Sequence, residues 1–167
     1  MRINFNKEYG TYLPVLIKVV NNTDGPILEL GMGMYSTPYL HWACKDKERE
    51  LVSYDLNSEY FKVNKQYESD YHKVFLTEDW DKIEIERLWD IVFIDVSPAE
   101  QRKELAKRVA RHAKFVILHD SDDNVDKLYR YSEIYNLFKY KYRYNYLAVK
   151  PNTVVLSNFV NLNFLNE

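Results

Sequence analysis

A carboxylate lies two positions before a glycine turn, at Glu29 in the stretch PILELGMGMYSTPYL. Gly31 can adopt a positive φ, and both Gly31 and Gly33 let a ligand approach the backbone because neither has a Cβ. Ser36 and Thr37, just before a proline, are typical of the N-cap of a helix, whose unpaired N–H groups would face the same ligand. A carboxylate aimed into this turn favours a ligand that carries positive charge and disfavours a phosphate. The pattern therefore predicts a nucleotide-type cradle for a cationic ligand.

A second carboxylate, Asp55, follows the apolar run 51–54, about twenty residues after the glycines. An acid at the end of a second strand is placed to accept hydrogen bonds from ribose hydroxyls. The alternative interpretation is that Asp55 caps a helix predicted at 58–67. The ribose role is preferred, because the spacing between the glycines and the acid fits one βαβ unit.

Three more polar residues follow later apolar runs: Asp95 ends the run 90–95, and His119 and Asp120 follow the run 114–118. Ligands of open α/β sheets bind outside the carboxyl ends of the strands, so these residues are the catalytic candidates. His119 is the candidate general base because its unperturbed pKa lies near neutrality. The alternative is a histidine that only hydrogen-bonds neighbouring backbone.

The elements that must position these residues alternate between strand and helix. Strands are predicted at 27–30, 51–54, 72–76, 90–95 and 114–118, and helices at 12–20, after the glycine turn, at 58–67, from the box Ser97-Pro98-Ala99-Glu100 to about His112, and at 125–138. This alternation predicts a mostly parallel sheet with right-handed crossovers. The runs 139–146 and 153–156 are joined by so short a link that they must be antiparallel.

The sequence E-L-G-x-G followed by S-T is similar to motif I of the class I S-adenosylmethionine-dependent methyltransferases. The resemblance spans roughly residues 11–158 and implies a three-layer Rossmann-like α/β fold, with a mostly parallel seven-stranded sheet that ends in an antiparallel hairpin. A dinucleotide-binding half normally ends in a further parallel strand instead. Within the family, small-molecule O-methyltransferases are the most similar in character.

The resemblance also implies roles for individual residues. Gly31 and Gly33 would carry the methionine half of S-adenosylmethionine, and Glu29 would help to hold its amino group. Asp79 would bind the amino edge of the adenine, and Trp80 would lie on its ring. The alternatives are that Asp79 caps a turn and that Trp80 fills the core.

A divalent metal is a further implication, since catechol-type O-methyltransferases hold one with acids after the fourth and fifth strands. Here Asp95, Asp120 and Asp122 would be the ligands, and hard oxygen donors suit magnesium. Without a metal, Asp95 would orient the acceptor or cap the next helix. Arg102 could pair with Glu100 on the surface or reach an acidic acceptor, and surface pairing is the preferred interpretation.

The resulting hypothesis is methyl transfer from S-adenosylmethionine to an oxygen or nitrogen of a small molecule. Two alternatives from other classes are a non-enzymatic S-adenosylmethionine-binding sensor or interaction partner, and a nicotinamide-dependent reductase. The reductase would need a third glycine and a catalytic tyrosine–lysine arrangement, neither of which is found.

Composition and length bound the remaining expectations. The 167 residues predict one domain, with an N-terminal helical segment at 1–25 that helps bind the substrate. A net charge of −2 gives no global attraction to nucleic acid or membrane. The single Cys44 and the lack of an apolar leader suit a reducing cytoplasm.

Two C-terminal features leave alternatives open. In the run 139–146 tyrosines alternate with cations, which predicts an edge strand with a charged outer face, or less favourably an RNA-binding strand. The apolar tail 159–167 is expected to dock on a partner subunit of a homodimer or back on the domain.

Overall fold

A seven-stranded sheet forms the centre of the protein in a computed structural model that describes residues 6–145 and 150–166. The strands in chain order are β1 (Ile27–Leu30), β2 (Leu51–Asp55), β3 (His72–Leu76), β4 (Trp89–Ile94), β5 (Ala113–Leu118), β6 (Tyr140–Tyr144) and β7 (Thr153–Ser157). Their order across the sheet is β3-β2-β1-β4-β5-β7-β6. The pairs β1–β2, β1–β4, β2–β3 and β4–β5 are parallel. Strand β7 is antiparallel to both β5 and β6, which confirms the predicted sheet and its C-terminal hairpin.

Helices cover both faces of this sheet. The helices are α1 (Leu13–Asn21), α2 (Ser36–Lys45), α3 (Ser58–Asn64), α4 (Gln101–Val109) and α5 (Asp126–Tyr129). Side chains of α1 and α2 pack with Ile27, Ile91 and Phe93 in one buried cluster. Side chains of α4 pack with Leu28 and Leu30 in the other. Successive residues of β1 thus face opposite layers, as the pleat of a strand requires.

Helix α4 begins later than the sequence predicts. The expected capping box 97–100 does not form, and Glu100 is the N-cap, without a side-chain capping bond. Turn bonds occupy this stretch instead, with the N–H of Gln101 donating to the carbonyl of Pro98 at 3.1 Å. Within α4, Lys103 is buried and its Nζ lies 2.8 Å from Glu133.

The long helix predicted at 125–138 is wrong as well. It is broken into α5 and two short 3₁₀ turns, Tyr131–Glu133 and Tyr135–Leu137. Arg130 adopts a left-handed conformation with φ 56°. The Asp126 carboxylate accepts hydrogen bonds from the N–H of Ser132 at 3.0 Å and from its hydroxyl at 2.5 Å. Local side-chain bonds to backbone of this kind compete with helix continuation.

The C-terminal part shows where the tyrosine-rich strand and the apolar tail lie. The tyrosines of β6 are half-buried against the core, while Lys141 and Arg143 are exposed, as expected for an edge strand. Tyr146, at the end of the predicted run, lies outside the described residues. In the tail, Leu162 and Leu165 are buried in the cluster that contains α1, so the tail docks on its own domain. No helix within 6–145 or 150–166 is long and apolar enough to span a membrane.

Candidate functional site

A cavity of about 340 Å³ opens at the carboxyl ends of β1, β2, β4 and β5. This is the sheet edge at which the sequence predicts the site. Glu8, Tyr9 and Tyr12 of the N-terminal segment form one wall. The lining includes Glu8, Tyr9, Tyr12, Met32, Gly33, Asp55, Tyr60, Asp95, Arg102, His119 and Asp120.

The glycine turn after β1 has the predicted backbone conformation. Gly31 has φ 92°, a region that residues with a Cβ rarely adopt. A Cβ at Gly31 would lie 2.3 Å from the carbonyl oxygen of Asp95, so the turn packs directly on the end of β4. Gly33 lines the cavity and donates its N–H to the Thr37 hydroxyl at 3.1 Å. Packing therefore requires Gly31, while Gly33 is the glycine that lines the cavity.

Ser36 and Thr37 are the first two residues of α2, and the N-cap is Tyr35. The expected capping role is thus wrong for both. The Thr37 hydroxyl instead links the turn to Glu29, accepting from Gly33 and donating to Glu29 Oε1 at 3.0 Å. Ser36 is buried beside Gly33, where a Cβ on the glycine would lie 2.8 Å from its Oγ.

Glu29 lies beneath the turn and does not line the cavity. Its side chain points to the α2 face of the sheet, where Oε1 accepts from Thr37 and Oε2 accepts from the Ser53 hydroxyl at 2.6 Å. Burial raises the pKa of Glu29 to about 7, although these hydroxyls favour the ionised form. The carboxylate is therefore bonded to the turn from beneath, through the Thr37 hydroxyl, whereas the sequence interpretation aims it into the turn.

Behind Glu29 runs a buried polar chain that sequence reasoning missed. The Ser53 hydroxyl lies 2.9 Å from His72 Nε2, and His72 Nδ1 lies 3.3 Å from His41 Nδ1. Burial lowers the pKa of His72 to about 4, so this ring is neutral near pH 7. A sequence signal was available, since Ser53 is a polar residue inside an otherwise apolar strand.

Asp55 spans the base of the cradle at the end of β2. Its Oδ2 accepts the N–H of Met32 at 2.7 Å, and its Oδ1 accepts the N–H of Asn57 at 2.6 Å. Asn57 is the N-cap of α3, so the alternative of a capping role for Asp55 is wrong. Burial raises the pKa of Asp55 to about 6. The carboxylate lines the cavity where the ribose role predicts it.

Asp79 and Trp80 do not line the cavity. The Asp79 carboxylate caps a short 3₁₀ turn, Trp80–Lys82, by accepting the N–H of Asp81 at 3.0 Å. Trp80 is 2% exposed, and its indole N–H donates to the carbonyl of Ser97 at 3.1 Å. Both positions match the structural alternatives.

Asp95 and Asp120 flank Arg102 at the far end of the cavity. Arg102 Nη2 lies 2.7 Å from Asp95 Oδ1, and Nη1 lies 2.8 Å from Asp120 Oδ2. Burial alone would raise the pKa of Asp95, but Arg102 and then His119 reverse this and hold it below its usual value. The expected surface pairing of Arg102 with Glu100 is wrong. Its two partners could not be found from the sequence, because they follow other strands.

His119 is buried, and both ring nitrogens have partners. Nδ1 lies 3.3 Å from Asp95 Oδ2, and Nε2 lies 3.0 Å from the hydroxyl of Thr11. The Thr11 hydroxyl also donates to the carbonyl of Pro151 at 2.8 Å. These contacts bind His119 between the N-terminal segment and β4, an arrangement that suits positioning of Asp95.

The cluster does not fit the expected magnesium. Donor atoms of Asp95, His119 and Asp120 do lie within 4.8 Å of one another. However, Arg102 already pairs with both carboxylates. Asp122 faces away, with Oδ2 accepting the N–H of Asn152 at 2.7 Å. Two of the three expected ligands thus hold an arginine, and the third caps a loop.

Comparison with known proteins supports the fold. No protein-family model matches the sequence, and a search of curated proteins finds no match. Among solved structures, the O-methyltransferase from Bacillus cereus in complex with SAH superposes with a TM-score of 0.66 and 14% identity, over 92% of this chain and 82% of that one. Human methyltransferase-like protein 13 in complex with SAH gives a TM-score of 0.67 and 15% identity, over 95% and 85%. The N-terminal domain of human METTL16 in complex with SAH gives 0.64 and 10%, over 95% and 73%.

These likenesses establish the class I methyltransferase fold for this chain, as the sequence resemblance implies. The strand order, with β7 inserted antiparallel between β5 and β6, agrees with this fold.

Proposed function

We propose that the protein binds S-adenosylmethionine and transfers its methyl group to an oxygen or nitrogen of a small molecule. The observation that carries this proposal is a cavity in a methyltransferase fold, bounded by the glycine turn and by Asp55. Structural neighbours crystallised with SAH, the product that methyl transfer leaves behind, support the same ligand.

The residues of the cradle suit a cationic cofactor. S-adenosylmethionine, when bound, supplies an activated methyl group on a positively charged sulfur. Gly33 exposes backbone to the cavity, and Asp55 offers carboxylate oxygens at the end of β2 for ribose hydroxyls. Glu29, two hydrogen bonds away from the Gly33 N–H, adds negative charge beneath the turn when it is ionised. Because the carboxylate lies in a low-dielectric interior, it attracts a cation in the cavity more strongly than an exposed carboxylate at the same distance would.

The charge of the lining argues for the class of acceptor. Four carboxylates line the cavity, from Glu8, Asp55, Asp95 and Asp120, against the guanidinium of Arg102. Arg102 is also already paired with two of these carboxylates. A polyanion would be repelled from such a wall, whereas a neutral or cationic small molecule would not. Tyr9 and Tyr60 also line the cavity and add aromatic surface for the organic part of the acceptor.

Catalysis in this site would depend on positioning more than on a strong base. Ionised Asp95 and Asp120 can accept hydrogen bonds from an acceptor hydroxyl or amine and so direct its lone pair at the methyl group. Holding two reactants in near-attack geometry supplies about 7–11 kcal/mol in favourable cases, which is the larger part of such a barrier. Both nitrogens of His119 are engaged, so its contribution is to orient Asp95.

That engagement of His119 also favours a second candidate, a cofactor-binding protein that does not methylate. Incubation of the protein with tritium-labelled S-adenosylmethionine and a metabolite extract separates the two. Label in a small-molecule product supports transfer. Tight binding without labelled product supports the non-enzymatic candidate, and label in added total RNA would contradict the small-molecule acceptor.

The cofactor itself is tested by thermal shift. S-adenosylmethionine and S-adenosylhomocysteine are expected to raise the melting temperature, and NAD is not. Asp55→Asn should weaken cofactor affinity roughly tenfold or more, since a hydrogen bond to a charged group contributes about 1.5–3 kcal/mol. The exposed Asp46→Asn is the matched control. Stabilisation by NAD alone, or unchanged affinity in Asp55→Asn, would contradict the proposed cradle.

A further inference from the structure

Arg102 fills the space between the carboxylates that follow β4 and β5. Its Nη2 lies 2.7 Å from Asp95 Oδ1 and its Nη1 lies 2.8 Å from Asp120 Oδ2, while only 7% of its side chain is exposed. Pairs at these distances are charge-assisted hydrogen bonds, which are stronger and better oriented than neutral ones. One guanidinium therefore bridges two acids from different strands.

The guanidinium is also anchored to the backbone. Nε donates to the carbonyl of Val96 at 2.8 Å, and Nη1 lies 3.3 Å from the carbonyl of His119. The ring of Tyr129 packs against the guanidinium, with 4.6 Å between the centres, and the Tyr129 hydroxyl donates to Asp120 Oδ2 at 3.0 Å. Swinging Arg102 out of the site would leave both carbonyls without this donor. The guanidinium charge is thus held in one place by two carbonyls, two carboxylates and an aromatic ring.

The same acids would be the ligands of a metal. Donor atoms of Asp95, His119 and Asp120 lie within 4.8 Å of one another, a spacing that one divalent ion can span. Such an ion would stand beside the guanidinium in a partly buried site, where like charges repel strongly. Arg102 and a divalent ion therefore exclude each other.

We propose that Arg102 takes the place of a divalent cation in this site, and that it positions Asp95 and Asp120 for a reaction that uses no metal. The catalytic part of this inference rests on the proposed function. A guanidinium has no open coordination position, so the acceptor is not chelated through two adjacent oxygens. The acceptor instead donates a hydrogen bond from a single hydroxyl or amine to Asp95 or Asp120. The acceptor class therefore includes molecules that have no second oxygen beside the reacting group.

The wild-type protein gives the first test, with Mn²⁺ alone as the probe. Titration followed by the loss of the free-ion EPR signal is expected to show no binding at the cluster up to about 1 mM, because Arg102 already pairs with both carboxylates and its charge repels the ion. Binding by the wild type that disappears in Asp95→Asn and in Asp120→Asn would overturn the proposal. This arm needs no variant of Arg102.

The second test removes the guanidinium that pairs with the candidate metal ligands. Arg102→Met removes the charge and keeps an apolar chain, so the variant is expected to bind Mn²⁺ through the three donors. Its melting temperature should rise by roughly 5–10 °C when the ion is at about a hundred times its dissociation constant. Arg102→Lys retains a cation and is the matched control, with no gain expected. A folded Arg102→Met that gains no Mn²⁺ site would overturn the proposal, and if that variant does not fold, the wild-type titration decides.

These measurements are independent of the cofactor. A failure of S-adenosylmethionine to bind would count against the proposed function and leave the Mn²⁺ result standing. Conversely, binding of Mn²⁺ by the wild type would reject the role of Arg102 without affecting the cradle. Where labelled product is found, its formation should be unchanged by EDTA.

Discussion

Replacing Glu29 with glutamine should change how stability depends on pH. In Glu29→Gln the amide oxygen can accept from the Thr37 hydroxyl, and the amide N–H can donate to Ser53 Oγ. The Ser53 hydroxyl can then donate to His72 Nε2, which lies 2.9 Å away. The variant therefore keeps the hydrogen bonds around position 29 and removes only the titration.

The magnitude follows from the raised pKa of Glu29. Burial raises that pKa from 4.5 to about 7, so between these values the folded state binds more protons than the unfolded state. The free energy of unfolding therefore falls as pH rises through this window, being highest below 4.5 and reaching its lower level above about 7. At 1.36 kcal/mol for each pH unit, the loss attributable to Glu29 is about 3 kcal/mol.

Urea denaturation of wild type and Glu29→Gln at intervals from pH 4.5 to about 8 measures this loss. Groups that do not interact with Glu29 cancel in the difference between the two proteins, whereas Asp55, whose charge contributes to the raised pKa of Glu29, is part of the measured effect. The variant should gain about 3 kcal/mol over wild type across the window. Glu59→Gln, on the exposed start of α3, is the control and should give a flat difference. A flat difference for Glu29→Gln as well would refute the buried, proton-holding carboxylate.

Three further outcomes are expected. Gly31→Ala should lose at least about 2 kcal/mol of stability in urea denaturation, since a Cβ at φ 92° meets backbone at 2.3 Å, and near-wild-type stability would contradict that geometry. Trp80→Phe should lose about 1–3 kcal/mol, because the indole bond to Ser97 is broken and the core loses volume. Its cofactor affinity by calorimetry should not change, and a fall of tenfold or more would instead restore Trp80 to the adenine site. S-adenosylmethionine binding should release protons near pH 6–7, because a cation favours the ionised forms of Glu29 and Asp55, whose pKa values are raised to about 7 and about 6. Calorimetry in two buffers of different ionisation enthalpy measures that release, and an identical heat in both would contradict it.

The sheet could be predicted from the sequence because its strands are short apolar runs between polar turns. Residues 27–30 and 72–76 were predicted with the bounds the structure has, and 51–54 misses only Asp55. A buried parallel strand needs side chains that suit apolar surroundings on both faces, so composition alone marks it. The antiparallel end followed from the shortness of one connection, which is also a local property.

The helices after β4 and β5 could not be predicted as well, because local side chains compete there with the helical pattern. Ser97 and Glu100 have the spacing of a capping box, yet the chain makes turn bonds and enters α4 later. At Asp126 the carboxylate bonds Ser132 beyond the end of α5, while Arg130 leaves the helical region. Helical periodicity at 125–138 does not reveal either contact, since both depend on how one loop closes.

The sequence places Glu29 at the ligand and Arg102 on the surface, but Glu29 lies beneath the turn and Arg102 lines the cavity. The geometry of the strand and the helix explains both differences. Glu29 is the third residue of β1, so the pleat sends its side chain to the α2 face beneath the turn, opposite Leu28 and Leu30. Arg102 is the second residue of α4, and its long side chain reaches back to the strand ends. There its ion pairs with two carboxylates compensate for the hydration that the guanidinium loses. The charge that a ligand meets is therefore set by four carboxylates and one fixed guanidinium at the cavity wall, with a titrating acid below the turn. One guanidinium cannot offset the charge of four carboxylates, so the cavity wall keeps an excess of negative charge. A positively charged cofactor reduces this excess, which favours a sulfonium over a pyrophosphate.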